Sequence, residues 1–121
     1  MPSRAVVEAF SAVVEAARYV EAIEQYYAEQ ASMQENQAAP SVGRDVLAER
    51  ERRTLSRVQS ITCERLGPIL IEGDHVAIRW RFTFHQASGP AGTLDEIAWQ
   101  RWEGDKIVEE RFFYDPGQLG R

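Results

Sequence analysis

The main change in the spacing of apolar residues comes near Gln59, and this change limits the folds that the chain can adopt. Before it, apart from a short segment over 31–36 and the loop that follows, apolar side chains recur every three or four positions, as on one face of a helix. After Gln59 they recur at every second position, as in β-strands. Helices and strands therefore do not alternate as they would in a parallel α/β protein. This order predicts an α+β fold in which N-terminal helices cover one face of an antiparallel sheet.

The helical part of the sequence divides into several segments. The first helical pattern continues past Arg18 and Tyr19, so either one helix bends there or a second helix starts. Pro40 and Gly43 interrupt regular structure before the last helical segment, which is rich in Leu, Ala, Glu and Arg. The predicted segments are a helix over 5–18, a helical continuation over 20–27, a short strand over 31–36, a loop over 37–43 and a third helix over 44–57.

Four alternating segments make up the strand-forming part. Gly73-Asp74 and Gly104-Asp105 each separate two alternating runs, which is the signal for a tight hairpin. The predicted strands cover residues 60–71, interrupted by Gly67-Pro68, and residues 75–86, 94–103 and 106–114.

The composition excludes several classes of partner. A length of 121 residues, 44% of them hydrophobic, suits a single domain over residues 1–121. The net charge of −5 argues against nucleic acid and anionic membranes, because both bind basic surfaces. No apolar run approaches the ~20 residues that cross a bilayer, and no secretion signal is visible. We therefore expect no membrane segment and a cytoplasmic location.

The residues that usually bind metals are sparse. Cys63 is the only cysteine, which excludes an internal disulfide and a cysteine zinc cluster. His75 and His85 have no third ligand at a useful spacing. Phosphate-binding and dinucleotide-binding glycine motifs are also missing. We therefore expect no metal and no cofactor.

The alternating pattern assigns side chains to the two faces of the sheet. In the strand over 75–86 the run that contains Trp80 and Phe82 is apolar and must meet the helices. A two-residue turn at Gly104-Asp105 would place Trp99 opposite Glu110 in the last hairpin. Its face toward the helices would then hold Ile97, Trp99, Arg101, Val108, Glu110, Phe112 and Tyr114, and its outer face Ala98, Gln100, Trp102, Ile107, Glu109, Arg111 and Phe113.

The outer face predicted in this way is rich in aromatic side chains. Exposed aromatics at this density usually mark a partner surface, although they can also lie on the surface of a monomer. We therefore expect a homodimer through the outer sheet face. Its predicted interface buries Trp102, Ile107 and Phe113, with Arg79, Arg81 and Arg111 bridging the subunits.

Three features together resemble a known family. These are the segment from Tyr26 to Asn36, the loop ending in Gly43-Arg44-Asp45, and the closing hairpin from Trp102 to Asp115. With three helices ahead of the hairpins, nearly the whole chain resembles the SnoaL-like branch of the nuclear-transport-factor-2-like superfamily. That superfamily includes ketosteroid isomerases, limonene epoxide hydrolases, polyketide cyclases and members without enzymatic activity. The resemblance implies a strongly curved antiparallel or mixed sheet around three helices, a cone-shaped apolar pocket and a homodimer built through the sheets.

The resemblance also implies roles for individual positions. Glu35 lies where the isomerases keep a proton-shuttling aspartate and the hydrolases a water-binding asparagine. Met33 occupies the position of the hydrolases' water-binding tyrosine. The hydrolases' Asp-Arg-Asp cluster falls on Trp80, Phe82 and Phe112. Epoxide hydrolysis by that mechanism is therefore not expected.

The isomerase pattern is incomplete as well. The two oxyanion donors of the isomerases, a tyrosine and a protonated aspartate, correspond to about Ser11 and to Ile97. Without two donors at the developing oxyanion, steroid-type isomerisation would lose several kcal/mol of stabilisation.

Glu35 is nevertheless the best catalytic candidate, with Tyr114 and Glu110 as assisting groups. A carboxylate beside an aromatic pocket can act as a general base, but Glu35 could instead cap the loop or pair with an arginine such as Arg44. Glu110 could share acid and base roles with Glu35, or form a structural ion pair with Arg101.

The remaining candidates are residues of the pocket wall. Tyr27 and Tyr114 could each offer a hydroxyl group while packing a ring. The predicted ligand-binding residues are Tyr27, Met33, Trp80, Phe82, Ile97, Trp99 and Phe112.

Two functions remain open. The first is an isomerase-like or cyclase-like enzyme that moves a proton on a small apolar carbonyl-bearing or cyclic substrate. The second is a non-catalytic module of the same fold that binds a small apolar molecule or forms a dimeric interaction surface.

Overall fold

Residues 1–119 are described in a computed structural model, which contains three α-helices, seven β-strands and a short 3₁₀ helix. None of these helices is long and apolar enough to cross a membrane. The helices are α1 (Arg4–Glu15), α2 (Tyr19–Tyr26) and α3 (Arg44–Ser56), and the 3₁₀ helix covers Pro116–Leu119. The strands are β1 (Tyr27–Glu35), β2 (Ser41–Val42), β3 (Ser60–Arg65), β4 (Leu70–Glu72), β5 (His75–His85), β6 (Gly92–Glu103) and β7 (Lys106–Phe113).

The strands form one mixed sheet in the order β2-β1-β7-β6-β5-β3, with β4 also paired to β5. Only the pairing of β1 with β7 is parallel, and the other pairs described are antiparallel. Helices precede the main part of the sheet and pack on one of its faces. The predicted α+β class with a mixed sheet is confirmed.

A second helix does start after α1, because α1 ends in a left-handed turn at Ala17. Ala17 has φ 63°, and the N–H groups of Ala17 and Arg18 donate to the carbonyls of Val14 and Val13. This pair of bonds is the Schellman pattern of a helix C-terminus. The turn redirects the chain and lets Tyr19 begin α2.

Strand β1 is longer than the sequence pattern indicates. It begins at Tyr27, four residues before the predicted start, because Tyr27 already pairs in parallel with Ile107 of β7, ahead of a register shift before Ser32. It ends where Asn36 adopts a positive φ of 49° and its N–H donates to the carbonyl of Phe112 at 2.8 Å. The predicted loop after it contains the short strand β2, which pairs with β1.

The core lies between the helices and the inner face of the sheet. Trp80, Trp102 and Leu47 are among its largest fully buried side chains. Phe10 of α1 packs edge-on against the Trp102 ring at 5.8 Å between ring centroids. This contact ties the first helix to the last hairpin.

One extra residue in β7 sets the faces of the last hairpin. Glu103 pairs with Lys106 as predicted, and Trp102 pairs with Ile107. The next pair is Arg101 with Glu109, so Val108 is left over as a β-bulge. A bulge shifts the alternation of side chains by one position. Ile107 before Val108 and Glu110 after it therefore both face inward, although they are three residues apart.

The predicted face assignment was therefore wrong for β6 and for the start of β7. Trp102 and Ile107 have no exposed surface and lie in the core, so they cannot form the predicted dimer surface. Ile97 and Trp99 lie on the outer face and are 46% and 48% exposed, so they do not line the cavity. Beyond the bulge, Glu110 lies on the inner face as predicted.

Candidate functional site

A cavity of about 200 Å³ lies between the helices and the inner face of the sheet. Most of its wall is apolar or aromatic, and its polar groups come mainly from β1, β6, β7 and α3. The lining residues are Phe10, Val14, Tyr19, Ala22, Ile23, Tyr27, Met33, Glu35, Leu47, Arg50, Glu51, Thr54, Ile61, Trp80, Phe82, Phe84, Leu94, Glu96, Glu110 and Phe112.

Glu110 is a buried carboxyl in this cavity, held by the protein on both oxygens. The Tyr27 hydroxyl donates to Oε1, and Gln100 Nε2 donates to Oε2 at 2.6 Å. Gln100 in turn accepts a hydrogen bond from Trp102 Nε1 at 2.9 Å. Burial raises the pKa of Glu110 to about 7, although its two donors oppose the shift. Glu110 can therefore exchange a proton close to neutral pH.

Glu96 is a second buried carboxyl, 7% exposed, on β6. It lies opposite Trp80 of β5 and lines the same cavity. Within residues 1–119 its side chain makes no hydrogen bond. Burial first, and then the charges of Glu110, Glu35 and Glu51, raise its pKa to about 8. This carboxyl is therefore mostly protonated at neutral pH.

Glu35 is the last residue of β1 and lies in the more open part of the cavity wall. Tyr114 Oη donates to Glu35 Oε1 at 2.8 Å, and Arg50 Nη2 lies 3.2 Å from Oε2. The side chains of Glu35 and Arg50 are 43% and 39% exposed. Burial, together with Glu35, raises the pKa of Tyr114 to about 12, so its hydroxyl remains a donor.

Of the two ion pairs that the sequence left open, the pairing of Glu35 with an arginine is present, but with Arg50 and not Arg44, and the pairing of Glu110 with Arg101 is not present. Glu35 pairs with Arg50, whereas Arg44 donates to the carbonyl of Tyr27 at 3.3 Å. Arg101 pairs with Glu109 at 2.6 Å and with Glu103 at 3.1 Å on the outer face, so it does not neutralise Glu110.

Carboxyl groups outnumber cationic groups in the cavity wall. Glu51 of α3 joins Glu35, Glu96 and Glu110, and burial raises its pKa as well. Among the described lining residues Arg50 alone carries a positive charge. No group of three or more His, Cys, Asp or Glu residues within residues 1–119 is arranged to hold a metal ion.

Most of the predicted site residues meet at this cavity. Tyr114 reaches it through its bond to Glu35, whereas Ile97 and Trp99 lie on the opposite face of the sheet. The predicted residues that line the cavity are Glu35, Glu110, Tyr27, Met33, Trp80, Phe82 and Phe112.

Sequence reasoning missed Glu96, Glu51, Arg50 and Gln100. Gln100 was placed on the outer face because the bulge at Val108 was not foreseen, and Glu96 was assigned to neither face. The pairing of β6 with β5 would have placed Glu96 correctly. Directly opposite residues of paired strands face the same side, and Trp80, opposite Glu96, faces inward. Arg50 and Glu51 belong to a charge run that is typical of a solvated helix face.

The outer face of the sheet carries exposed apolar groups flanked by arginines. Phe113 is 40% exposed, and the Arg111 guanidinium lies 4.8 Å from the centre of its ring. Arg79 donates two hydrogen bonds to the Asp95 carboxylate, from Nε to Oδ1 at 2.9 Å and from Nη2 to Oδ2 at 2.7 Å. Arg81 Nη2 lies 3.8 Å from the same Oδ2.

Solved structures with this architecture share low sequence identity with the chain. A proposed SnoaL-like polyketide cyclase from Mesorhizobium loti is 26% identical, with a TM-score of 0.74 over 90% of this chain and 96% of that chain. A Catenulispora acidiphila protein of ketosteroid isomerase-like fold, in complex with trimethylamine, is 18% identical, with a TM-score of 0.79 over 97% and 90%. TerC, co-crystallised with polyporic acid, is 13% identical, with a TM-score of 0.78 over 94% and 92%.

No curated protein matches the sequence. The SnoaL-like domain family matches residues 7–110, which include most of α1, all of α2 and α3, and most of the sheet. The resemblance in the sequence is thereby confirmed. The match over most of its length shows that the chain belongs to the SnoaL-like domain family.

Proposed function

We propose that the protein binds a small, largely apolar molecule in this cavity and moves a proton on it, with the Glu35 carboxylate as general base. The observation that carries the proposal is the setting of Glu35, which combines an apolar cavity with two donors that orient the carboxylate. A general base needs this fixed geometry relative to the proton that it removes.

Tyr114 and Glu110 have assisting roles in the proposal. The Tyr114 hydroxyl stays protonated and holds one oxygen of Glu35, leaving the carboxylate aligned along the cavity wall. Glu110, with a pKa of about 7, can return a proton to the substrate or take one up. Two carboxyls in different environments can divide acid and base roles in this way.

Small-molecule complexes of two related folds support a ligand in the cavity. The Catenulispora acidiphila protein was crystallised with trimethylamine and TerC with polyporic acid.

The test is proton exchange on a bound carbonyl compound. Steroid, polyketide and terpenoid fragments are screened for binding, and exchange of the protons next to the carbonyl is followed in D₂O by NMR. We expect Glu35→Gln to bind the same fragments and to slow exchange about 10²- to 10⁴-fold, the usual range for losing a general base.

Glu29→Gln is the matched control, because Glu29 is exposed on the same strand and does not line the cavity. Equal exchange rates in the Glu35 variant and the wild type would remove Glu35 as the base. Tight binding without any exchange in the wild type would favour the non-catalytic alternative.

The outer sheet face is proposed as a homodimer surface with a corrected composition. Phe113, Arg79, Arg81 and Arg111 keep their predicted places, while Ile97 and Trp99 replace Trp102 and Ile107 as its apolar groups. Their exposure supports the proposal, since clustered exposed apolar side chains on a sheet usually contact a partner.

A further inference from the structure

Glu96 is a buried polar group without a partner in the described chain. Its side chain lines the cavity, is 7% exposed and makes no hydrogen bond within residues 1–119. Every fully inaccessible side-chain nitrogen or oxygen there has a partner, so the Glu96 oxygens must retain some accessible surface, which the cavity provides. Burying an unpaired carboxyl is unfavourable unless a ligand or solvent satisfies it.

The titratable groups that surround Glu96 are mostly acidic. The pKa of Glu96 is raised by three neighbouring carboxylates, those of Glu110 on β7, Glu35 on β1 and Glu51 on α3. The positive charge in the described wall is on Arg50, which is already bound to Glu35. The two tyrosines of the wall, Tyr19 and Tyr27, have raised pKa values and stay neutral.

A row of aromatic rings lines the cavity, beginning at the cross-strand neighbour of Glu96. Trp80 is its cross-strand partner and is 2% exposed. The Trp80 and Phe82 ring centres are 6.2 Å apart, and those of Phe82 and Tyr19 are 5.9 Å apart. The negative faces of such rings attract a desolvated organic cation.

We propose that the ligand of this cavity is a small organic cation, an apolar skeleton with a protonated amine whose N–H donates to the Glu96 carboxylate. The rings of Trp80, Phe82 and Tyr19 surround the hydrocarbon part. The inference rests on the proposed function only in taking this cavity as the ligand site, and it adds the charge of the ligand.

Binding of a cation here is coupled to proton release. The pKa of Glu96 in the folded chain is about 8, so its carboxyl holds a proton at neutral pH. A bound ammonium group favours the ionised carboxylate and lowers that pKa. The affinity for a cation therefore rises as pH increases from about 6 to 8.5.

Benzylammonium and benzyl alcohol form a suitable pair of probes, because they share one skeleton and differ in charge. Isothermal titration calorimetry in two buffers of different ionisation enthalpy measures both affinity and proton release. At pH 7.5 we expect benzylammonium to bind at least about tenfold more tightly than the alcohol, the scale of one charge-assisted hydrogen bond, with release of part of a proton.

Glu96→Gln tests the residue itself. It should lower benzylammonium affinity about tenfold, abolish most of the proton release and leave benzyl alcohol binding unchanged, whereas Glu29→Gln should change none of these. The probe comparison on the wild-type protein needs no variant to fold. Alcohol binding as tight as amine binding would overturn the cation proposal and leave the proposed function standing. Failure of both probes, together with all screened fragments, would overturn both.

Discussion

At the scale of single residues, the carboxyl groups of the cavity differ in their hydrogen-bond partners. Glu110 has both oxygens bonded by protein donors, whereas Glu96 has none in the described chain and has the higher pKa. Glu35 is fixed by Tyr114 and Arg50 in the more open part of the wall. Glu96 and Glu110 thus have different proton affinities because their donors differ.

These raised pKa values make folding stability depend on pH. The pKa of Glu96 rises from an ordinary value of 4.5 to about 8 on folding, so the folded chain holds a proton that the unfolded chain releases. The contribution of Glu96 to folding stability is therefore complete below about pH 4.5 and is lost as the pH rises toward 8. We expect the wild-type free energy of unfolding to fall by a few kcal/mol between pH 5 and about 8.

Urea unfolding across this pH range checks the expectation. Glu96→Gln should have a flatter profile, with the residual slope coming mainly from Glu110, whose pKa is about 7. Glu29→Gln should keep the wild-type slope. A Glu96 variant with an unchanged slope would show that this carboxyl is already ionised in the folded state.

At the scale of secondary-structure elements, two local irregularities shape the site. The left-handed turn at Ala17 separates α1 from α2, and the bulge at Val108 sets which β7 side chains face inward. Without the bulge, regular alternation from Ile107 would point Glu110 away from the cavity. One inserted residue therefore decides whether the cavity contains its deepest carboxyl.

The turn at Ala17 gives a stability prediction. A non-glycine residue in the left-handed region is strained, and glycine relieves that strain at some cost in unfolded-chain entropy. We expect Ala17→Gly to stabilise the protein by about 1 kcal/mol in urea unfolding. Ala16→Gly, one position earlier at φ −78°, should not stabilise it. Destabilisation by Ala17→Gly would contradict the Schellman geometry.

The irregularities also explain how far the sequence could predict the molecule. The helices and the hairpin turns follow from local sequence patterns. The inward side of β5 follows from the alternation that contains Trp80 and Phe82. Val108 carries no local signal of a bulge, so the faces of Ile97, Trp99, Trp102 and Ile107 were inverted. Arg50 could not be paired with Glu35 either, because that contact depends on how α3 packs on β1.

At the scale of the whole molecule, the sheet separates two surfaces of different character. The inner surface and the helices enclose an acidic, aromatic cavity. The outer surface exposes Ile97, Trp99 and Phe113 beside arginine and acidic side chains. A partner on the outer surface would leave the cavity free, because the sheet lies between them.

The proposed dimer is tested by a charge placed on the outer surface. We expect the wild type to sediment as a dimer at micromolar concentration and Trp99→Glu to shift it toward monomer, since a buried unpaired carboxylate is unfavourable. Val46→Glu is the control, because Val46 is 48% exposed on α3 in the helical layer. A monomeric wild type would overturn the dimer proposal.

The parallel pairing of β1 with β7 has a consequence for the order of folding. Tyr27 and Glu110 are 83 residues apart in sequence, and Glu35 and Tyr114 are 79 apart. Such distant contacts raise the contact order, and proteins rich in them fold slowly because long loops must close first. During synthesis β1 has no parallel neighbour until β7 has left the ribosome, so the cavity is among the last parts of the molecule to assemble.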